Sequence, residues 1–346
     1  MGGPGSGMAA DIAEQPDVFA RLLDSSAAAV AEVARVVAAR RPRHVVLTAR
    51  GTSDHAALYA AYLIEIRLGL PAGLASPSAI TLFGARPDLA DALVIGVSQS
   101  GGSPDLSEVL RVARASGALT LAVTNQSGSA LTEAAELSID VSAGHERAVA
   151  ATKSYTAELL ALLMLVEGVR GSAAELRSDL ADLPALAAGV LADPTAVELA
   201  PRYRFAGRLV TTGRGYAYPT AREAALKLME TSYLAALAFS GADLLHGPLA
   251  MTDPEVPVLA VVGGGPGGQA MREVLARLGE RRADIVAVGP SDVDQATARI
   301  PVPPVDERFA PLLDILPLQR LALAVALERG EDPDSPRGLR KVTSTL

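Results

Sequence analysis

The stretch Leu93-Val94-Ile95-Gly96-Val97-Ser98-Gln99-Ser100-Gly101-Gly102-Ser103-Pro104-Asp105 decides how this chain folds. Its opening is a short apolar run with the length and composition of a buried strand. Serine, glutamine and two glycines then break the run. Ser103-Pro104 reads as a helix N-cap followed by proline at the first helical position, and the helical pattern continues to Ser116. A strand that turns through such a loop into a helix gathers backbone N–H groups, serine hydroxyls and the positive end of the helix dipole around one point. Phosphate suits that point, although an ordinary βα turn uses the same residue types.

On either side of this stretch the pattern repeats. Two helical segments, Ala9–Asp24 and Ala27–Arg40, precede the β-branched run Arg43–Ala49, which ends at a second polar turn, Arg50-Gly51-Thr52-Ser53. Further strands are expected at Leu119–Thr124 and Leu137–Val141, with helices at Ser103–Ser116, roughly Ser127–Glu136 and Thr152–Val169. Strands alternating with helices imply right-handed crossovers and a parallel sheet, with ligands at the strand C-termini. After a helical stretch from Ser172 to about Asp193, the pattern restarts at Arg208–Thr212 and continues through Val258–Val262 and Ile285–Val288. Helices are expected near Pro219–Tyr233 and Pro311–Glu328.

Leu47-Thr48-Ala49-Arg50-Gly51-Thr52 set beside Val210-Thr211-Thr212-Gly213-Arg214-Gly215 shows an internal duplication. A period this long means two similar domains and not a solenoid. The expected organisation is α/β: a leader and N-terminal helix over 1–24, a first domain over 25–171, a helical connector over 172–200, a second domain over 201–330 and an irregular tail over 331–346. Each domain is expected to be a parallel-sheet α/β/α sandwich.

Composition narrows the function. With 49% apolar and 3% aromatic residues, the chain suits helices packed on parallel sheet. A net charge of −8 without any basic run sets it against nucleic acid. It has no cysteine and four histidines, so a thiol nucleophile and a Cys-ligated zinc are absent and no metal or other cofactor is expected. Residues 1–7 lack the pattern of a secretion signal and read as a flexible leader, with Met8 a candidate natural start. No later apolar stretch is expected to reach bilayer length without interruption. A cytoplasmic protein with no membrane partner is expected.

Glu223, Lys227 and Glu230 fall at i, i+4 and i+7 on one face of the helix near Pro219–Tyr233. By spacing alone this is a solvated face. His246, in Leu244-Leu245-His246-Gly247-Pro248, reads locally as a packed loop residue, and Lys341 as part of a basic tail. Gly263-Gly-Gly265-Pro-Gly-Gly268 fits G-x-G-x-x-G, with Asp292 beyond the next strand, which would suggest a dinucleotide-binding oxidoreductase. Pro266, and the missing fingerprint in the first βαβ unit, make it a poor copy.

Taken in order, Gly51-Thr52-Ser53, Ser98-Gln99-Ser100-Gly101, Glu146 through Thr152-Lys153, Glu223 through Glu230, His246-Gly-Pro-Leu249 and Pro336-Arg-Gly-Leu-Arg-Lys341 give the chain a specific likeness. It resembles the double-domain SIS (sugar isomerase) family, in particular the isomerase half of glucosamine-6-phosphate synthase and the SIS-type glucosamine-6-phosphate deaminases. The likeness runs from Met8 to Leu346 and implies two tandem SIS domains. It also implies that Ser98, Gln99, Ser100 and Ser103 hold a phosphate, that Gly51, Thr52 and Ser53 lie beside the sugar, and that Glu146, Val149 and Ala151 line the substrate. Gly102 stands where the family has an acidic residue and Ala151 where it has serine.

The same resemblance assigns the chemistry. Glu230 is the base that moves a proton between C1 and C2, and Lys227 the cation beside it. His246 opens the sugar ring and reaches the site from a neighbouring subunit, which implies a homodimer. Lys341 lies on a tail that folds over the sugar and brings an amine to the carbonyl. The synthase takes nitrogen from glutamine through a cysteine-bearing domain that this sequence lacks. The expected reaction is therefore glucosamine-6-phosphate plus water giving fructose-6-phosphate plus ammonia. The alternatives are a deglycase or aldose–ketose isomerase acting on galactosamine-6-phosphate or fructosamine-6-phosphate, and a non-catalytic sugar-phosphate sensor.

Overall fold

The computed structural model describes residues 3–341. They form two compact units, each built on a five-stranded parallel sheet. The first lobe gathers Gln15–Glu146, Lys153–Pro184 and residues 340–341; the second gathers residues 3–14, Arg147–Thr152 and Ala185–Leu339. The last five residues, 342–346, which end the expected tail, lie outside the described residues.

The chain opens in the second lobe with α1 (Ser6–Ala13). The expected leader is thus partly helix, and the reason is visible at its start. Gly5 N–H donates to Asp332 Oδ1 at 3.0 Å, while Gly7 and Met8 N–H donate to Asp334 at 2.7 and 2.8 Å. Asp334 therefore satisfies the first-turn donors that a helix leaves open, and Met8 is fully buried.

In the first lobe, a short helix (Gln15–Arg21) and a π-turn (Leu22–Ser26) lead into α2 (Ala27–Arg40). There follow β1 (His44–Thr48), α3 (Thr52–Leu63), β2 (Ala72–Leu74), β3 (Ala92–Ser98), α4 (Pro104–Ala115), β4 (Leu119–Thr124), β5 (Leu137–Asp140) and α5 (Lys153–Arg170). Every residue of β3 and β4 is buried, as parallel strands covered on both faces must be. α2 and α3 pack against α5, which is buried on all sides from Lys153 to Glu167.

The second lobe runs β6 (Arg208–Gly213), α6 (Ala217–Ser232), β7 (Ala235–Ser240), β8 (Pro257–Val261), α7 (Pro266–Glu280), β9 (Asp284–Gly289), β10 (Ala298–Pro301) and α8 (Ala310–Glu328). Strand orders are β2-β1-β3-β4-β5 and β10-β9-β8-β6-β7. Reversed, the second reads β7-β6-β8-β9-β10, position for position the first, so the internal repeat is a repeat of topology. In each sheet the order reverses between the first and third strands of the lobe, and the crevice beside their C-termini is where open α/β sheets bind ligands.

Two helical stretches, Ala173–Glu198 and Ala310–Glu328, are long and apolar enough to cross a bilayer by length and composition. The sequence reading admitted none. The second of them, α8, packs against α6 in the core of its lobe, with 78% of its apolar window buried.

Candidate active site

The first lobe places two polar loops side by side. β1 pairs with β3 in parallel, Thr48 opposite Gly96, so the loops after Thr48 and Ser98 leave neighbouring strand ends. Gly51 takes φ +56 with nothing within 4 Å of where a Cβ would sit, and Thr52 begins α3 half-buried. Ser53 faces inward: its hydroxyl donates to the buried Glu158 at 2.9 Å. That hydroxyl is spent on the core.

The loop after β3 is wound tightly. Gly101 N–H donates to Ser98 Oγ at 3.2 Å and Gly102 N–H to Ser100 Oγ at 3.3 Å. Both serine oxygens accept, and neither O–H has a partner among the described residues. Gly101 lies at φ +59, and a Cβ there would fall 2.1 Å from Ser129 Oγ, so only glycine fits. Thr124 Oγ1 and Asn125 N–H both donate to the Gln99 carbonyl, at 3.3 and 3.2 Å, which fixes the loop from behind.

Ser103 departs from its expected capping role. It holds the N-cap position of α4, yet its side chain makes no cap hydrogen bond. Asp105 Oδ1 accepts the Leu106 N–H at 2.9 Å instead. The hydroxyls of Ser98, Ser100 and Ser103 are thus all unspent donors on one turn at a helix N-terminus. Asp105 is held in turn by Arg50, whose Nε and Nη2 lie 2.9 and 2.8 Å from its Oδ2. Sequence reading missed this pair, because its members are distant along the chain and neither is unusual where it stands.

Glu146 is buried at the entrance to α5, where it accepts the Lys153 N–H at 2.9 Å and the Ser154 hydroxyl. It caps that helix. Val149 and Ala151 belong to the second lobe, half-buried and buried respectively, in a stretch secured where Arg147 and Ala148 N–H donate to Asp11.

In the second lobe α6 carries the charged cluster. Lys227 is fully buried, with Nζ 3.3 Å from Glu223 Oε1 and 2.6 Å from Glu230 Oε2. The spacing that reads as a solvated face is an internal ion triad. Burial alone would lower the ammonium's pKa, but the charges of Glu223 and Glu230 outweigh it and hold it above the ordinary lysine range. Glu230 is 23% exposed at its side chain, and its second oxygen has no partner among the described residues. A fixed cation therefore stands beside a carboxylate that still faces outward.

His246 ends a one-turn helix (Gly241–Leu245) on the surface, with its imidazole unpartnered among the described residues. Lys341 is half-buried and groups with the first lobe, although the tail leaves from the second.

The glycine-rich loop Gly263–Gly268 is the second lobe's counterpart of the loop after β3. Its cradle is filled by the protein's own carboxylate. Gly268 N–H donates to Glu307 Oε1 at 3.3 Å, and a Cβ on Gly265 or Gly267 would lie 2.4 Å from a Glu307 oxygen. These glycines make room for a side chain where a dinucleotide fold needs space for a pyrophosphate.

Comparison with known proteins agrees with this architecture. The chain is 38% identical over 314 residues, 86% of its own length, to a Gloeobacter violaceus protein named glutamine–fructose-6-phosphate aminotransferase [isomerizing], and covers 51% of it. It thus spans about half the length of the curated relatives it matches. The C-terminal domain of glucosamine-fructose-6-phosphate aminotransferase from Francisella tularensis superposes with a TM-score of 0.87 at 26% identity, over 96% of this chain and 99% of that one. A crystal structure from Silicibacter pomeroyi DSS-3 superposes at 0.85 with 36% identity, over 95% and 99%. The SIS domain model matches residues 40–168 and again 203–329, one match on each sheet. This chain is a member of the SIS family, carrying the domain twice.

Proposed function

We propose that the chain is a sugar-phosphate isomerase that deaminates glucosamine-6-phosphate to fructose-6-phosphate and ammonia. The observation that carries this reading is the Lys227–Glu230 contact: a buried ammonium 2.6 Å from a partly exposed carboxylate with one unspent oxygen. Phosphate binding alone requires neither group. A proton shuttle on an open-chain sugar requires both.

In the proposed reaction the loop of Ser98, Gln99, Ser100 and Ser103 grips the phosphate, and Thr52 lies beside the sugar. His246 protonates the ring oxygen to open the hemiacetal. Glu230 removes the C2 proton and returns it to C1 while the C1 oxygen gains a proton and the amine loses one, turning the open-chain 2-amino aldose into the C2 imine of fructose-6-phosphate, with Lys227 steadying the negative charge that builds in between. Water adds to C2 of that imine and ammonia leaves. Lys227 is held protonated by two carboxylates, so the neutral amine that any imine exchange needs falls to Lys341 on the tail. These 346 residues include no cysteine, so their own nitrogen chemistry uses ammonia or the substrate's amine and not a thiol that hydrolyses glutamine. The reading also expects a cytoplasmic homodimer in which His246 serves the partner's sugar.

The test is incubation with glucosamine-6-phosphate in deuterated water, following fructose-6-phosphate, ammonia and the label at C1. Turnover abolished by Glu230→Gln supports the reading. Binding without turnover in the wild type would leave a sugar-phosphate sensor.

One observation favours a second substrate. Ala151 is buried and brings no hydroxyl where the family has serine, which would suit galactosamine-6-phosphate or fructosamine-6-phosphate. A panel of these phosphosugars ranks them by kcat/KM.

A further inference from the structure

We propose that Arg50 is the fixed cation of the phosphate site, gripping Asp105 with one edge of its guanidinium and presenting the other edge to the substrate's phosphate. This rests on the loop after β3 being the phosphate loop.

That loop has no charged donor of its own. Ser98, Gln99, Ser100 and Ser103 are neutral, and hydrogen bonds from neutral groups are weaker toward a dianion than charge-assisted ones. Arg50 stands at the end of the neighbouring strand, two residues beyond Thr48, as Ser98 stands two beyond Gly96, and those two residues are register partners. Two of its five N–H donors go to Asp105 Oδ2. The other three have no partner among the described residues, and the side chain is 49% exposed. A guanidinium pinned at one edge has already lost most of its rotamer freedom, so a phosphate meeting the other edge has little left to order.

Asp105 makes the arrangement necessary. Its carboxylate is almost fully buried in the first turn of α4, the helix whose N-terminus faces the proposed phosphate. Bare, it would repel the dianion. Paired with Arg50 its charge is offset, and the guanidinium keeps donors without a partner among the described residues on a side chain that is 49% exposed. Asp105 Oδ1 is engaged by Leu106 N–H, so Arg50 is held on the other oxygen, Oδ2.

The competing role is a brace that merely ties the two loops together and screens Asp105. The experiment is calorimetric binding of inorganic phosphate, with steady-state kinetics on glucosamine-6-phosphate, for wild type, Arg50→Ala, Arg50→Lys and the double variant Arg50→Ala/Asp105→Asn. Circular dichroism confirms folding, and Arg50→Lys keeps the charge should Arg50→Ala fold poorly. Arg50→Ala is expected to weaken phosphate binding by about 10- to 100-fold, to raise KM far more than it lowers kcat, and to leave inhibition by unphosphorylated glucosamine unchanged. Arg50→Lys recovers part of the loss, and the double variant recovers none. Wild-type affinity in the double variant would overturn the proposal, since Arg50 would then only shield Asp105. Unchanged phosphate affinity in Arg50→Ala would overturn it while leaving the phosphate loop intact. Wild type that binds no phosphate would overturn both.

Discussion

Tyr233 holds Arg337 twice: its phenolic oxygen accepts the Arg337 backbone N–H at 2.7 Å, and the Arg337 guanidinium lies 3.9 Å over its ring. Tyr233 ends α6 in a left-handed conformation, three residues after Glu230. Arg337 lies four residues before Lys341, which chain geometry keeps within about 14 Å of it. The helix that carries Glu230 and the root of the tail are thus joined by one side chain.

Tyr233→Phe keeps the ring and removes the acceptor, at a cost of about 1 kcal/mol. If the tail brings Lys341 to the sugar, kcat should fall several-fold while the melting temperature stays within a degree or two. Tryptic cleavage at Arg337 should speed up in parallel. Faster cleavage with unchanged kcat would show that the tail has no part in turnover.

Gly101→Ala should silence the proposed phosphate loop. The left-handed φ costs a non-glycine residue roughly 1–2 kcal/mol, and the new methyl would collide with both Ser129 Oγ and Ser129 Cβ, at 2.1 and 2.5 Å, so rotating the hydroxyl does not relieve the clash. Loss of phosphate affinity by about tenfold or more is expected, with far-ultraviolet circular dichroism unchanged because β3 and α4 lie on either side. Wild-type binding would remove this loop from the site.

The central strands and the serine-glycine turn after β3 were legible because their signals are local. β3 and β4 are unbroken apolar runs, and a serine-glycine turn before a proline needs no partner to be recognised. Three of the four edge strands were not. β2 is three residues long, β7 is the alanine-rich Ala235–Ser240, and β10 ends in Pro301; a strand covered by one neighbour needs few β-branched residues. Spacing alone could not separate an exposed Glu223–Lys227 pair from a buried one, since a helix presents both alike. Arg50 with Asp105, and Glu307 in the glycine cradle, join positions far apart in the chain. No periodicity reports such meetings.

Asp314, buried in α8, should make stability depend on pH. Burial pushes its carboxyl up to about 8, with the nearby Glu307 charge adding to the shift, and its Oδ2 has no hydrogen-bond partner among the described residues. Because the folded pKa is raised, the stability it contributes is complete below the unfolded value of about 3.9 and is lost as pH rises toward about 8. Asp314→Asn should flatten that slope by a few kcal/mol between pH 4 and 8. Urea midpoints at pH 5, 7 and 9 measure it, and equal slopes in both proteins would mean that Asp314 is ionised in the fold.

Lys227 separates a structural role from a chemical one. Lys227→Met takes from the fully buried Glu223 the ammonium that lies 3.3 Å away, at a cost of about 3–5 kcal/mol. Inactivity of that variant alone would therefore say little. Lys227→Met/Glu223→Gln removes the uncompensated charge and should recover most of the stability, while Glu230 keeps its exposed oxygen. If the ammonium steadies the enolate, the double variant folds, binds phosphate normally and still loses about a hundredfold or more in kcat. Wild-type kcat in it would reduce Lys227 to a structural ion. The raised pKa of Lys227 fixes the pH window: its contribution to stability is complete below about pH 10.4 and is lost only as pH climbs through the higher folded value. Any pH dependence of kcat near neutrality must then arise from another group.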